Sequence, residues 1–434
     1  MRVSSNMMTA NYLQQLNRSY AKQAALMEQS DGNSMHRPSD DPVNYTKTMT
    51  FKNTLTENTQ YTDNLKSATS WMTTADGAMT NITDIMSNVI AKTTAAATGT
   101  NQTVDLQATA SDVNGMLQEI VTDANTQVGT RYVFSGQSDA TMPFTISSSK
   151  IDRGLTKTLD EKQTTFFGGT KVGGLNQMLS MTGSDKKDYY LDTTSGNIYT
   201  KDFVDSGYKD AMAKGATTVA STDAVGTVAG FSTGTPATNV ASYFDTNGAI
   251  KSSAPAISVT IGTPAATVNM SFQTVSQYVV TYHGDDKKIS MPVQNGPSDP
   301  VRDSVNVTGN DLFGSKDIFG GSAGSSVLND LYTMQAKMTA GDSAWVSSDG
   351  LTLANNARNS VLGAQSTVAS RAGVYKDLQS TMENQATTIT SDITNASATD
   401  VASLVVQLKT AETLYNMSLS VGSKILPKSL ADYL

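Results

Sequence analysis

The sequence predicts an α + β protein: a long discontinuous helical coiled-coil bundle built from both chain ends, with a central β-rich inserted domain. Three observations lead there. Apolar residues near both ends recur in alternating steps of three and four, the heptad spacing of helices packed along one another. The middle alternates with period two between Gly- and Asn-containing turns, which is hairpin patterning. Leu, Ile, Val and Phe together make up only about a fifth of the 434 residues, thin provision for one deep core. The expected division is a terminal helical assembly domain (1–45 and 400–434), a helical-bundle core domain (46–142 and 326–399) and a β-rich outer domain (143–325).

The elements follow in order. Leu13, Leu16, Tyr20 and Met27 share one stripe of a first helix. The run HRPSDDPVNY (His36–Tyr45) then interrupts it. Pro42 suits the first residue of a new helix, and it holds Asp41 in the extended conformation that an N-cap needs. Pro38 likewise keeps Arg37 out of the helical region, and Asp40 is left to pair locally with Arg37. Arg37, Pro38, Asp40, Asp41 and Pro42 therefore read as an inter-helix elbow. A metal loop would need more oxygen ligands at loop spacing than Asn44 adds.

Beyond the elbow Leu65, Ala68, Met72, Ala75, Met79, Ile82, Met86 and Val89 alternate three and four without a break. That is a seam of more than three heptads. A Gly/Thr break around Thr98–Thr103 precedes a further helical run with Val113, Met116 and Ile120, which ends at Gly129. At the far end Tyr375, Leu378, Met382 and Ile389 keep the same spacing, with polar Gln385 at the intervening position. Val401, Leu404, Leu408, Ala411 and Tyr415 carry a last stripe, which Ser418 and Gly422 weaken. Leu65, Met72, Met79, Ile82, Met86, Leu378, Met382 and Ile389 are the expected seam core.

In the middle, Ile257, Val259 and Ile261 alternate up to a turn at Gly262–Pro264, and Val268, Met270 and Phe272 continue. Tyr278, Val280 and Tyr282 run into Gly284–Asp286, with Ile289, Met291 and Val293 beyond, so a second hairpin is expected there. Asn247–Gly248 marks another turn.

Several chemistries are poorly provided for. The formal charge of −8 and pI near 4.9 lack the basic footprint of a nucleic-acid binder. No apolar run reaches the ~20 residues that cross a bilayer, so no membrane partner is expected. The first residues, MRVSSNMMTANYLQQLN, lack the apolar core of a cleaved secretory signal. With no cysteine there is no disulfide, thiolate ligand or Cys nucleophile. Gly320–Gly324 fits G-x-S-x-G, but that elbow needs an acid and then a His downstream, and His36 and His283 both precede it. Two histidines are few for a transition metal, and no Gly-Lys pair exists for a phosphate loop. No catalytic, metal or cofactor-binding residue is assigned. The protein is expected not to be an enzyme and to need no cofactor.

Four stretches carry a resemblance to a known family. A helical segment followed by RPSDDP (Arg37–Pro42) resembles the N-terminal region of bacterial flagellins and their junction proteins. GTRYVFSGQSDATMPF (Gly129–Phe144), with Arg131, Phe134, Ser135 and Gly136, resembles the segment where the junction branch leaves the helical core for its outer domain. STVASRAGVYKDLQ (Ser366–Gln379) is similar to the returning helix, with Arg371 at the recurrent arginine. VGSKILPKSLADYL (Val421–Leu434) resembles the end of the junction branch, where flagellin itself usually has a Leu-Leu-Arg type sequence. There are departures: SDGNSMH before the elbow lacks the usual Gly-Lys/Arg character, and Pro427–Lys428 stand where Gln and Pro are frequent.

The resemblance implies an extracellular structural adapter at the flagellar hook–filament junction, exported unfolded without a cleaved signal and with a cytoplasmic chaperone. Hook-associated protein 1 would lie on its hook side, flagellin on its filament side, and copies of itself around the ring or short tube. Terminal stripes with little local core do not offset their ordering entropy alone. Leu13, Leu16, Tyr20, Leu404, Leu408, Tyr415, Leu430 and Tyr433 are therefore expected to face other subunits. The alternatives are a flagellin that forms the filament itself, or a flagellin-like protein whose outer domain binds glycans through Tyr278, Tyr282 and His283.

Overall fold

The heptad stripes fold as helices, though the run with Val113 and Ile120 stops at Ala124 rather than Gly129, because Gln127–Val128 is a short strand. In the computed structural model the described residues are 2–32, 42–97, 103–168, 177–228, 240–261, 265–291, 304–314, 318–320, 324–397 and 401–425. Three long helices lead: α1 (Arg2–Gly32), α2 (Pro42–Ala97) and α3 (Thr103–Ala124). Three more follow the β-rich middle: α4 (Ser326–Thr339), α5 (Leu351–Ser397) and α6 (Val401–Ile425). Helical arms from both ends around a β-rich centre are the architecture the patterning called for. The chain divides into two compact units, Met1–Asp63 with Leu378–Leu434, and Asn64–Asp377.

In the second unit the seam of α2 is deeply buried. Leu65, Ala68, Met72, Met79 and Ile82 are fully covered, and Ala75, Met86 and Val89 are 1% exposed. Val113, Leu117 and Ile120 of α3 are equally inaccessible. Met116 stays half-buried, so the α3 stripe runs through Leu117 instead. Side chains pin the helices in place: Gln365 Nε2 of α5 donates to Asp76 Oδ1 at 3.2 Å and Thr80 Oγ1 at 2.9 Å on α2. Gln335 Nε2 of α4 reaches the Ala110 carbonyl of α3 at 3.3 Å.

The middle holds β1 (Gln127–Val128), β2 (Arg131–Tyr132), β3 (Phe144–Ile146), β4 (Ile151–Gly154), β5 (Thr156–Thr158), β6 (Gln177–Gly183), β7 (Asp188–Leu191), β8 (Asn197–Thr200), β9 (Gly226–Thr227), β10 (Ile257–Ile261), β11 (Ala266–Phe272), β12 (Thr274–Gln277) and β13 (Val280–Tyr282). Among the described residues the main sheet runs β10-β11-β6-β7-β8-β9, with β5 also on β6, and every pairing is antiparallel. Period-two alternation feeds two cores, one on each face of the sheet. Leu179, Met181, Tyr189, Leu191 and Ile198 join Phe244 and Phe319 on one side. Their sequence neighbours Met178, Tyr190 and Tyr199 join Phe166, Phe167 and Tyr208 on the other.

The β10–β11 hairpin forms with Val259 opposite Val268, and Gly248 turns at φ +85° after Asn247. Among the described residues the second expected hairpin does not form. Val280–Tyr282 pairs instead with Phe144–Ile146, and Thr274–Gln277 pairs with Ile151–Gly154. The turn chemistry explains the difference. Asp285 Oδ1 accepts from the Gln137 backbone N–H at 2.7 Å, so the chain after Tyr282 is tied to the loop around Ser135 rather than folding back on itself. Ile289 is engaged by the Val305 N–H at 2.9 Å, and Val293 lies outside the described residues.

Candidate functional site: the paired terminal helices and the outer-domain joint

In the first unit α1 and α6 lie side by side and antiparallel. Tyr12 Oη donates to the Ser418 carbonyl at 3.0 Å. The Tyr20 and Tyr415 rings are 6.1 Å apart and tilted by 47°. Leu26, Leu404 and Ala411 form a small buried cluster, with Leu408 packed against it. Leu16, Leu408 and Tyr415 are half-buried. Leu13 and Tyr20 remain 47% and 60% exposed, as do Val406, Leu414 and Met417 at 65%, 54% and 60%. Leu430 and Tyr433 lie outside the described residues, as do Arg37, Pro38, Asp40 and Asp41 of the elbow. Pro42 opens α2, and its carbonyl accepts from Thr46 Oγ1 at 2.7 Å.

One contact here was not legible as such. Gly422 reads as a weak point of the α6 stripe, yet it is buried. A Cβ on it would lie 2.0 Å from Tyr12 Oη and 2.3 Å from the ring. The missing side chain is the seat of the Tyr12 ring. The signal is the spacing Tyr415, Ser418, Gly422, which keeps the three–four rhythm.

The seam residues on α5 are less covered than those on α2. Met382 is 8% exposed, and Leu378 and Ile389 are half-buried.

The family-motif residues in the second unit meet at a joint. Arg131 pairs with Asp139 and sets its guanidinium 5.3 Å above the Trp71 ring, which accounts for that tryptophan without a ligand. Phe134 and Ser135 are fully buried. The Phe134 carbonyl accepts from Tyr282 Oη at 2.8 Å and from the Gly309 N–H at 3.0 Å. Ser135 Oγ donates to the Tyr132 carbonyl at 3.2 Å. Gly136 turns at φ +72°, and a Cβ there would sit 2.2 Å from the Asp285 carbonyl oxygen. Only glycine fits both the dihedral and the gap. Arg371 on α5 donates to the Ser304 carbonyl at 3.4 Å. Tyr282 is 5% exposed, and burial pushes its hydroxyl pKa well up. Its oxygen is already engaged by backbone, so it offers little to a glycan. His283 is exposed, with Nε2 2.8 Å from Thr145 Oγ1.

Sequence reasoning missed an ionic cluster around the buried Lys157–Asp349 pair. Lys157 on β5 pairs with Asp349 and lies 3.2 Å from Asp205, which also takes Lys201 at 2.5 Å. Each aspartate sits in a π-helical turn, Phe203–Gly207 or Val346–Gly350. Burial lowers the Lys157 pKa, but the two carboxylates outweigh it and hold the value above the ordinary one. A nucleophilic or general-base lysine needs the opposite shift, so the cluster is a structural tie between β5 and the start of α5. Among the described residues no three His, Asp or Glu gather as metal ligands, and no helix is long and apolar enough to cross a membrane.

Comparison with known proteins bears on the same features. Residues 3–139, which include the joint motif, match the bacterial flagellin N-terminal helical region. The chain is 29% identical over 152 residues to flagellar hook-associated protein 3 of Escherichia coli (strain K12), a match covering 35% of this chain and 48% of the relative. It is 25% identical over 185 residues to flagellar hook-associated protein 3 of Salmonella typhimurium, covering 42% and 58%. The chain thus spans about half the length of the curated relatives it matches. Similar solved structures include Bacillus cereus FlgL, at 10% identity, TM-score 0.40 and coverage of 80% and 99%. Another is a putative flagellar hook-associated protein from Vibrio parahaemolyticus, at 11% identity, TM-score 0.42 and coverage of 83% and 100%. Over residues 3–139 the chain thus matches the bacterial flagellin N-terminal helical region, and over its matched stretches it is similar to flagellar hook-associated protein 3.

Proposed function

We propose that this chain is a structural adapter of the bacterial flagellum, joining the hook to the flagellin filament. Copies of it would form a ring or short tubular layer, with hook-associated protein 1 on one side and flagellin on the other. It would reach that place outside the cell by flagellar export, without a cleaved signal, unfolded and escorted by a chaperone, and it would catalyse nothing. The division into a terminal assembly domain, a helical-bundle core and an outer domain belongs to this reading. So does the assignment of Leu13, Leu16, Tyr20, Leu404, Leu408, Tyr415, Leu430 and Tyr433 to subunit contacts.

The observation that carries the reading is the α1–α6 pair. Its buried apolar cluster consists of Leu26, Leu404 and Ala411, while Leu13, Tyr20, Val406, Leu414 and Met417 stand in solvent. Helices so exposed gain their order from neighbours that cover them. The similarity to hook-associated protein 3 supplies the class of neighbour.

Deleting the protein from its source bacterium tests this directly. Intact hooks with filaments shed into the medium are expected; normal filaments, or loss of the hooks, would overturn the assignment. Long homopolymeric filaments grown from purified protein would point to a flagellin instead.

A further inference from the structure

The α2–α5 pairing within the first unit contains a buried polar residue that neither covering by neighbours nor a local bond explains. Asn58 lies one heptad before Leu65 on the α2 stripe and is 5% exposed. Its Nδ2 donates to Met382 Sδ at 3.3 Å and to Gln385 Oε1 at 3.4 Å. Its Oδ1 is buried with no hydrogen-bond partner. A leucine would fill the same space with no such orphan, so the residue is retained against stability. Gln385, which meets it, is the polar interruption of the α5 stripe between Met382 and Ile389.

The rest of this arm specifies alignment weakly. Thr46, Thr50 and Thr54 recur at four-residue steps on α2, each hydroxyl donating to the carbonyl four residues earlier at 2.7–3.0 Å. Thr390 and Thr394 do the same on α5 at 2.7 and 2.9 Å. Hydroxyls bonded to their own helix offer the facing helix no directional contact. All five threonines are exposed, so they add no interlocking across the pair.

We propose that the Asn58–Gln385 layer sets the register of α5 on α2 in this arm, trading stability for a single alignment. A slip of one heptad moves the helices by about 10 Å. In one direction it places Leu378 opposite Asn58 and strips the amide of its partner. In the other it sets Asp392 in the place of Gln385 against the buried Asn58, a carboxylate where the native alignment has an amide.

The absence of cysteine among the 434 residues allows the test in this chain as it stands. Spin labels on Lys52→Cys and Thr388→Cys, both exposed positions of this unit, report the alignment by pulsed dipolar distance measurement. A single narrow distance is expected with the native layer. With Asn58→Leu and Gln385→Leu together, a second distance population is expected beside the first, with an unchanged or raised melting midpoint. One unchanged distance in the doubly substituted chain would overturn the proposal. So would a broad distribution in the chain with the native layer, since no register would then be held. Gln385→Leu alone, which leaves Asn58 without its amide partner, is expected to lower the midpoint while keeping one distance; a second population there would also overturn it.

Discussion

Met79 offers the sharpest test of the buried seam. It is fully covered on α2, one helical turn from Ala75 and Ile82, which are 1% exposed and fully covered respectively. Met79→Asp removes a side chain whose burial contributes about 1.5–3 kcal/mol. It also places a carboxylate among apolar neighbours, at a further cost of several kcal/mol that protonation limits. The sum is about 5 kcal/mol, a large fraction of the stability of an ordinary domain. Met79→Ala separates the two parts, losing about 2–5 kcal/mol by cavity formation with no charge. The acidic variant should also depend on pH. The introduced carboxyl has a pKa raised on folding, so its extra penalty grows as pH rises through the ordinary carboxylate range and fades below it. Urea titrations of both variants followed by circular dichroism, at pH 4 and pH 7, supply the numbers. An unchanged midpoint for Met79→Asp at pH 7, or a deficit no larger than that of the alanine variant, would refute the buried-seam reasoning.

Three further substitutions probe the joint, the ionic tie and the terminal pair. Lys157→Met leaves Asp349 buried without its ammonium, and a loss of about 3–5 kcal/mol at pH 7 is expected from urea midpoints. Because the Lys157 pKa is raised on folding, the pair's contribution is complete below the ordinary lysine value. It disappears only as pH rises through the shifted one, so wild type and variant should converge only in strong alkali. Gly136→Ala forces a Cβ against the Asp285 carbonyl at φ +72°; a loss of about 1–3 kcal/mol is expected, and a neutral melting curve would refute the glycine argument. Gly422→Ala displaces the Tyr12 ring and breaks its bond to Ser418. About 1 kcal/mol is expected, read as faster amide exchange along α1.

The helical arms were legible because a heptad seam is a long, redundant signal. Eight consecutive seam positions from Leu65 to Val89 agree with one another, and no local preference overrides them. The β10–β11 hairpin was legible for the same reason on a shorter scale. What escaped the sequence depends on contacts between distant residues. The strand Val280–Tyr282 is an instance. It alternates like a hairpin arm, but its partner, Phe144–Ile146, lies over a hundred residues upstream, and one Asp285 bond redirects the turn. The Lys157–Asp349–Asp205 cluster joins three segments with no spacing in common. At the terminal pair, Tyr20 and Tyr415 were legible from their stripes, whereas Gly422 shows its role only beside Tyr12.

The pairings of Phe144–Ile146 with Val280–Tyr282 and of Ile151–Gly154 with Thr274–Gln277 have a consequence for how such a chain can change. In each pairing the strand that leaves for the outer region and the strand that returns from it are neighbours, about 5 Å apart. The distance the intervening chain must span is therefore fixed at its base and independent of its length. Insertions or deletions between Leu155 and Gln273 leave that neck in place so long as they spare Lys157, which pairs with Asp349, and Phe244, which packs on Phe319. Loops beyond those contacts can thus change in size on one unaltered helical scaffold.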